Sequence, residues 1–185
     1  QALVKVQLKG NSGKGTTTVV MQAETLEGKT VGNPVRFAVE VGEGAPAHAE
    51  ATVDLGEEAR LWSEHSPNVY KMKVSLESPD GIDEASYNFG FREFKANGTR
   101  FEVNGQPVFL RGTLECCIFP LTGYPAMQND YWAKIYRTCK EYGLNHVRFH
   151  SWCPPEAAFH VADSMGIYLQ VECGGWAEVG SGKPQ

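Results

Sequence analysis

Polar and charged side chains occupy alternate positions in three short runs of the chain. Arg111, Thr113 and Glu115 alternate with Leu110, Gly112 and Leu114; His146, Arg148 and His150 with Val147 and Phe149; Tyr168, Gln170 and Glu172 with Ile167, Leu169 and Val171. In an extended strand alternate residues share a face, so each run has one polar and one apolar face. Such polar faces could line a ligand site, or they could be satisfied internally, with Arg148 paired to Glu115 or Glu172 in an ion network. His146 lies nearer the amino end of its run and reads as a satisfied core histidine. Trp152 and Trp176 follow strand ends, where an indole either packs or stacks on the apolar face of a sugar ring.

Other chemically suggestive patterns fall away. Cys116, Cys117, Cys139, Cys153 and Cys173 all lie in the C-terminal half. They form no C-x-x-C spacing, so zinc is not supported, and adjacent Cys116 and Cys117 do not easily bridge. We read the five as buried reduced thiols. The run Gly10-Asn11-Ser12-Gly13-Lys14-Gly15-Thr16 hints at a phosphate loop, but Gly15 stands where Ser or Thr must follow the Lys, and a strand pattern follows in place of a helix. Asn97-Gly98-Thr99 has glycosylation spacing and reads as a turn.

These runs sit in a chain of 185 residues, 42% hydrophobic and 21% charged, a composition that packs a core and is too apolar for disorder. Seventeen Lys plus Arg against twenty-two Asp plus Glu leave a formal charge of −5 with no basic run, which argues against a nucleic-acid partner. No apolar stretch approaches the ~18 residues of a membrane span, and the first residues alternate where a signal peptide would have an apolar core. The sequence starts at Gln1 without a Met and reads as a piece of something longer.

Periodicity changes near residue 95. Before it, apolar residues recur at every second position in six runs: Val4 to Leu8, Val19 to Ala23, Val35 to Val41, Ala51 to Leu55, Tyr70 to Leu76 and Tyr87 to Phe91. Turn residues such as Gly10–Gly13, Gly42-Glu43-Gly44 and Pro79-Asp80-Gly81 separate them, and no helical stripe intervenes. This predicts an antiparallel β-sandwich of immunoglobulin-like size over residues 1–95. After residue 100, Asn104-Gly105 predicts a hairpin turn and Val108–Glu115 an extended run. Asn129 or Asp130 is then expected to cap a helix with Trp132, Ile135, Tyr136 and Cys139 on one face, stopped by Gly143. His146–His150 is a strand, and Pro154-Pro155-Glu156 opens a second helix carrying Ala158, Val161, Ala162 and Met165. Gly166 ends that helix before the strand Ile167–Glu172. Alternating β and α units imply a parallel sheet with helices on one side. The polar parity, Arg111, Thr113 and Glu115 included, would then face a (β/α)8 barrel interior, its charged members toward the carboxyl ends where such barrels keep their active sites.

Four segments, in order, resemble a known family. Leu61-Trp62-Ser63 followed by Ser66-Pro67-Asn68-Val69-Tyr70 is similar to the LW…P.LY signature that ends the central sandwich domain of family 2 glycoside hydrolases, which include β-galactosidases, β-glucuronidases and β-mannosidases. Phe89-Gly90-Phe91-Arg92 and the stretch Phe101-Glu102-Val103-Asn104-Gly105-Gln106-Pro107-Val108-Phe109-Leu110-Arg111-Gly112 resemble the start of that family's catalytic barrel. Tyr142-Gly143-Leu144-Asn145-His146-Val147-Arg148 resembles its G.N.VR strand, and Ala162-Asp163-Ser164-Met165-Gly166-Ile167-Tyr168 with Glu172 its CD..G..V..E run. Two segments depart: Thr113-Leu114-Glu115-Cys116-Cys117 follows the Arg-Gly where members usually have a His soon after, and Phe149-His150-Ser151-Trp152-Cys153-Pro154 replaces the family's SHYP.

The resemblance implies a multi-domain α and β fold, an immunoglobulin-like β-sandwich over 1–95 followed over 96–185 by the first three strands of a TIM barrel. It implies a glycosidase cleaving O-glycosidic bonds, β-galactosidase-like and retaining, with a carbohydrate substrate; no cofactor or metal is expected. In the family the acid/base Glu follows the fourth strand and the nucleophile comes from the seventh, so no catalytic residue is expected in this chain. Retaining chemistry needs two carboxylates about 5–5.5 Å apart, and only Glu115 and Glu172 could substitute. The substrate-positioning residues it implies are Arg148 as a hydroxyl or carboxylate anchor, His150, Glu172 and Glu115 as hydrogen-bonding partners, and Trp152 as a platform. The piece alone would be inactive and prone to self-association. The alternative is a non-catalytic carbohydrate-binding or interaction module on the same architecture.

Overall fold

The computed structural model describes residues 1–9, 15–42 and 46–173. The chain divides into two compact units, Gln1–Leu61 with Asn68–Phe91, and Trp62–Pro67 with Arg92–Gln185.

In the first unit every expected alternating run lies in or beside an antiparallel strand. These are β1 (Ala2–Leu8), β2 (Gly15–Thr25), β3 (Thr30–Val41), β4 (Ala47–Val53), β5 (Tyr70–Ser78) and β6 (Gly81–Phe89). One sheet pairs β1 with β4; the other has the order β3-β2-β5-β6. Alternation puts Val19, Met21 and Ala23 of β2 and Tyr70, Met72 and Val74 of β5 into a core shared with Leu8, Ala49, Val53 and Leu55. Phe89 and Phe91 close on the Tyr70 ring at 5.8 and 6.1 Å, and the Tyr70 hydroxyl accepts the Arg60 amide at 2.7 Å. Gly32 has φ +68°, and a Cβ there would run into the backbone of Asp54. A groove of about 580 Å³ runs along β1 above Met72, Val74 and Tyr87. Of the phosphate-loop look-alike only Gly15 and Thr16 are described, and they begin a strand. The turn residues at 10–13 and 43–44 lie outside the described residues.

The second unit opens with an antiparallel meander, β7 (Phe94–Asn97), β8 (Arg100–Val103) and β9 (Gln106–Val108). Asn97-Gly98-Thr99 is a turn, as read, and Asn104 and Gly105 form the predicted hairpin with φ +53° and +76°. Then come β10 (Gly112–Glu115), α1 (Asn129–Glu141), β11 (His146–Phe149), α2 (Glu156–Met165) and β12 (Tyr168–Val171), with the strands parallel in the order β10-β11-β12. Both helices pack on one face of this sheet. Trp132, Tyr136 and Cys139 of α1 and Ala158, Val161 and Ala162 of α2 share a core with Val147, Phe149 and Ile167.

Three expectations need correction. Helix α1 starts one residue early: Gln128 is the N-cap and makes no side-chain cap bond, while Asp130 sits in the first turn, where its charge favours the helix dipole. Of the cysteines only Cys139 is buried. Cys116, Cys117, Cys153 and Cys173 are exposed because they lie past strand ends, in segments that the apolar layers do not cover. The parity of β10 is reversed. Its register pairs Gly112 with His146, Leu114 with Arg148 and Glu115 with Phe149, so Thr113 and Glu115 share the helix-bearing face while Leu114 lies on the open one. The spacing of three strands fixes alternation within each strand; hydrogen bonding between them fixes which parity aligns.

Candidate functional site at the carboxyl ends of the parallel strands

Arg148 lies near the end of β11, on the open face, in register with Leu114 and Gln170. Its Nε donates to Glu172 Oε1 at 2.6 Å, and its terminal nitrogen pairs with the same oxygen. The other oxygen, Oε2, accepts the Ser151 amide at 2.8 Å. That amide is aimed by a left-handed backbone, φ +63°, which a non-glycine residue adopts only when its surroundings hold it there. Glu172 is placed by the ladder, since its own amide donates to the Phe149 carbonyl at 3.2 Å. With both oxygens engaged, the Ser151 amide first and the Arg148 guanidinium second hold the Glu172 carboxyl below the ordinary carboxylate range. The His150 imidazole contributes in the same direction.

The second carboxylate repeats the device on the other face. Glu115 Oε2 accepts the amide of Cys117 at 3.0 Å, and Cys117 is again left-handed, φ +57°. Partial desolvation, and then the Glu115 charge, push the largely exposed Cys117 thiol upward. Glu115 also adds to the pressure that burial places on the Tyr136 hydroxyl, which is raised far above its usual value. Trp152 packs into the helix-side aromatic cluster, edge-on to Phe149 at 5.4 Å and to Phe119 at 5.8 Å. Neither its buried Nε1 nor the Tyr136 hydroxyl has a hydrogen-bond partner among the described residues.

Of the residues singled out from sequence, Arg148, His150 and Glu172 therefore come together, while Glu115 and Trp152 stand toward the helices. The ion pair that forms is Arg148 with Glu172, not with Glu115. Trp176 lies outside the described residues. His146 faces the bare backbone of Gly112 toward the amino end, where burial lowers its pKa, and with Arg92, Phe94, Phe101 and Tyr168 it lines a cavity of about 460 Å³. Two participants escaped the sequence reading. The Ser151 amide gave no signal, because serine carries no left-handed signature. Glu64 could have been noticed as an acidic residue inside the Leu61 to Tyr70 signature; it is buried at the amino ends of the strands.

At this site a half-exposed guanidinium is held in one orientation by a carboxylate, itself fixed by a backbone amide. Such a group can orient a polar ligand with its remaining donors. Among the described residues no group of three or more His, Cys, Asp or Glu is placed to hold a metal ion.

Residues 1–92 match the family described as Glycosyl hydrolases family 2. A β-galactosidase of Thermoanaerobacterium thermosulfurigenes is 32% identical over 126 residues, 66% of this chain and 17% of that protein. The backbone matches a glycosyl hydrolase family 2 member from Bacteroides cellulosilyticus with TM-score 0.78 at 20% identity, over 90% of this chain and 23% of that one. It matches β-glucuronidase 2 of Bacteroides uniformis with TM-score 0.74 at 22% identity, over 92% of this chain and 21% of that one. The chain thus spans about a fifth of the length of these relatives, and it carries a glycosyl hydrolase family 2 region.

Proposed function

We propose that this chain is the central immunoglobulin-like domain and the first three βα units of the (β/α)8 barrel of a longer glycoside hydrolase. The enzyme cleaves O-glycosidic bonds, is β-galactosidase-like and works by retaining, two-carboxylate chemistry. The observation that carries this reading is the parallel order β10-β11-β12 with both helices on one face, which leaves Arg148 and Glu172 on the opposite, open face at the carboxyl ends. That is the end at which barrel enzymes assemble their sites. Arg148, His150 and Glu172 orient the sugar, and Glu115 and Trp152 act from the helix side by shaping the loops that follow β10 and β11.

Neither carboxylate here is a candidate for the reacting pair. Glu115 belongs to the helix-bearing face, whereas Glu172 is bound to Arg148 from the other, and both of its oxygens are engaged. The longer protein supplies the acid/base and the nucleophile. The test is turnover of aryl β-galactosides and aryl β-glucuronides by the full-length protein, with covalent trapping of the nucleophile. Hydrolysis with retention is expected. Sugar binding without hydrolysis would replace this reading with a carbohydrate-binding module.

A further inference from the structure

We propose that Glu64 is a positioning residue for the carboxyl-end site, fixing the stagger of the three parallel strands from their amino ends and so setting where Arg148 and Glu172 stand. The role assigned to those two residues rests on the glycosidase reading. Glu64 belongs to the Trp62–Pro67 segment of the second unit and is the one buried acidic or basic side chain among the described residues, 8% exposed. Its carboxylate accepts Asn145 Nδ2 at 2.5 Å and lies 3.5 Å from the Arg111 guanidinium and 3.2 Å from His65 Nε2.

Asn145 and Arg111 immediately precede β11 and β10. They are locked to each other: Asn145 Oδ1 accepts the Arg111 amide at 2.7 Å, and the Asn145 amide donates to the Arg111 carbonyl at 2.9 Å. Asn145 reaches the third strand as well, its carbonyl accepting the Tyr168 amide at 2.8 Å. The Glu64 carbonyl accepts Lys140 Nζ at 3.1 Å and lies 2.5 Å from where a Cβ on Gly166 would stand. One residue therefore meets the start of every strand in the sheet.

Asn145 is three residues before Arg148, about 10 Å along an extended strand. A four-residue strand has no slack in which to absorb a displaced start, so a shift at Asn145 arrives at the guanidinium. Misplacement of a positioning group by about 1 Å is enough to cost ~10²-fold in rate. A buried carboxylate is a poor choice for stability alone, since an apolar plug of similar volume serves as well. What the carboxylate adds is direction, because it bonds two strand starts at defined angles.

The test compares Glu64→Ala and Glu64→Gln. Gln keeps an acceptor oxygen for Asn145 and loses the charge. In this 185-residue chain, NMR of the Glu172 carboxyl and the Arg148 Nε–H reads the site directly. Glu64→Ala is expected to move the Glu172 titration toward the ordinary carboxylate value and shift the Arg148 signal, and Glu64→Gln, which keeps the Asn145 bond but not the pairing with Arg111, to restore both in part. In the full-length enzyme, well below the melting temperature, kcat per folded molecule should fall about tenfold or more in Glu64→Ala and recover in part in Glu64→Gln. If Glu64→Ala does not fold, Glu64→Met, which fills a similar volume and removes the same bonds, carries the same expectations. Folded variants with unchanged Glu172 and Arg148 signals overturn the proposal. A full-length protein without glycosidase activity instead overturns the functional reading, leaving the NMR outcome to decide the role of Glu64.

Discussion

Arg148 and Glu172 hold each other at the surface of the open face, with side chains 46% and 25% exposed, so their pairing directs geometry more than it stabilises the fold. In the full-length protein Arg148→Ala should lower kcat/KM by roughly 10²-fold through lost orientation of the sugar, with little change in melting temperature. A large drop in melting temperature with normal turnover of the folded fraction would show that the pair is structural. The acid limb follows from the same contacts. Because the folded carboxyl of Glu172 titrates below its unfolded value, its contribution is complete above the unfolded value and is lost as pH falls through the folded one. Arg148→Ala should move that titration upward, as followed by carboxyl NMR. Tyr136 makes the opposite case, a buried hydroxyl without a partner among the described residues. Tyr136→Phe should be neutral or stabilising by ~1 kcal/mol in denaturant melts, whereas a clear loss would mean the hydroxyl is satisfied.

At the scale of elements, helix ends were legible wherever a residue type dictates the backbone. Gly143 and Gly166 close α1 and α2 with φ +74° and +71°, and the amides of Leu144 and Ile167 return to the Cys139 and Ala162 carbonyls, as left-handed caps require. Gly166 has a further duty, since its bare Cα admits the Glu64 carbonyl. Gly166→Ala combines a left-handed alanine with a clash against backbone, and should cost about 2 kcal/mol or more in thermal or urea unfolding. Retention of wild-type stability would mean that the Trp62–Pro67 segment moves aside. The start of α1 was less legible, because Asn129 and Asp130 both look like caps and the chain uses neither. The meander β7–β9 is legible only in part: Asn104-Gly105 marks one turn, but all four residues of β7 are exposed, so no buried face marks the strand.

At the scale of the molecule, the chain presents several surfaces suited to pairing. Among the described residues, the groove along β1, the edges of β10 and β12, and Leu114 on the open face are apolar or carry backbone that no strand pairs. The isolated 185-residue chain should therefore self-associate in light scattering as concentration rises, and a strict monomer throughout would contradict this. It should also show no turnover of aryl glycosides; activity that copurifies with the chain and vanishes in Glu172→Gln would overturn the assignment of catalysis to the longer protein.

The sequence by itself determined the antiparallel strands of the first unit and the two βα crossovers, because alternation, 3.6-residue spacing and glycine stops are local properties of the chain. It also carried the family motifs and the candidacy of Arg148, His150 and Glu172. Only the tertiary structure decided which parity of β10 faces the helices, which carboxylate Arg148 takes, and that the buried Glu64 joins the starts of three strands. Those outcomes depend on register and on contacts between residues as far apart as Glu64 and Asn145. No local pattern encodes them, since a slip of one residue leaves each strand's alternation intact while turning its side chains to the other face.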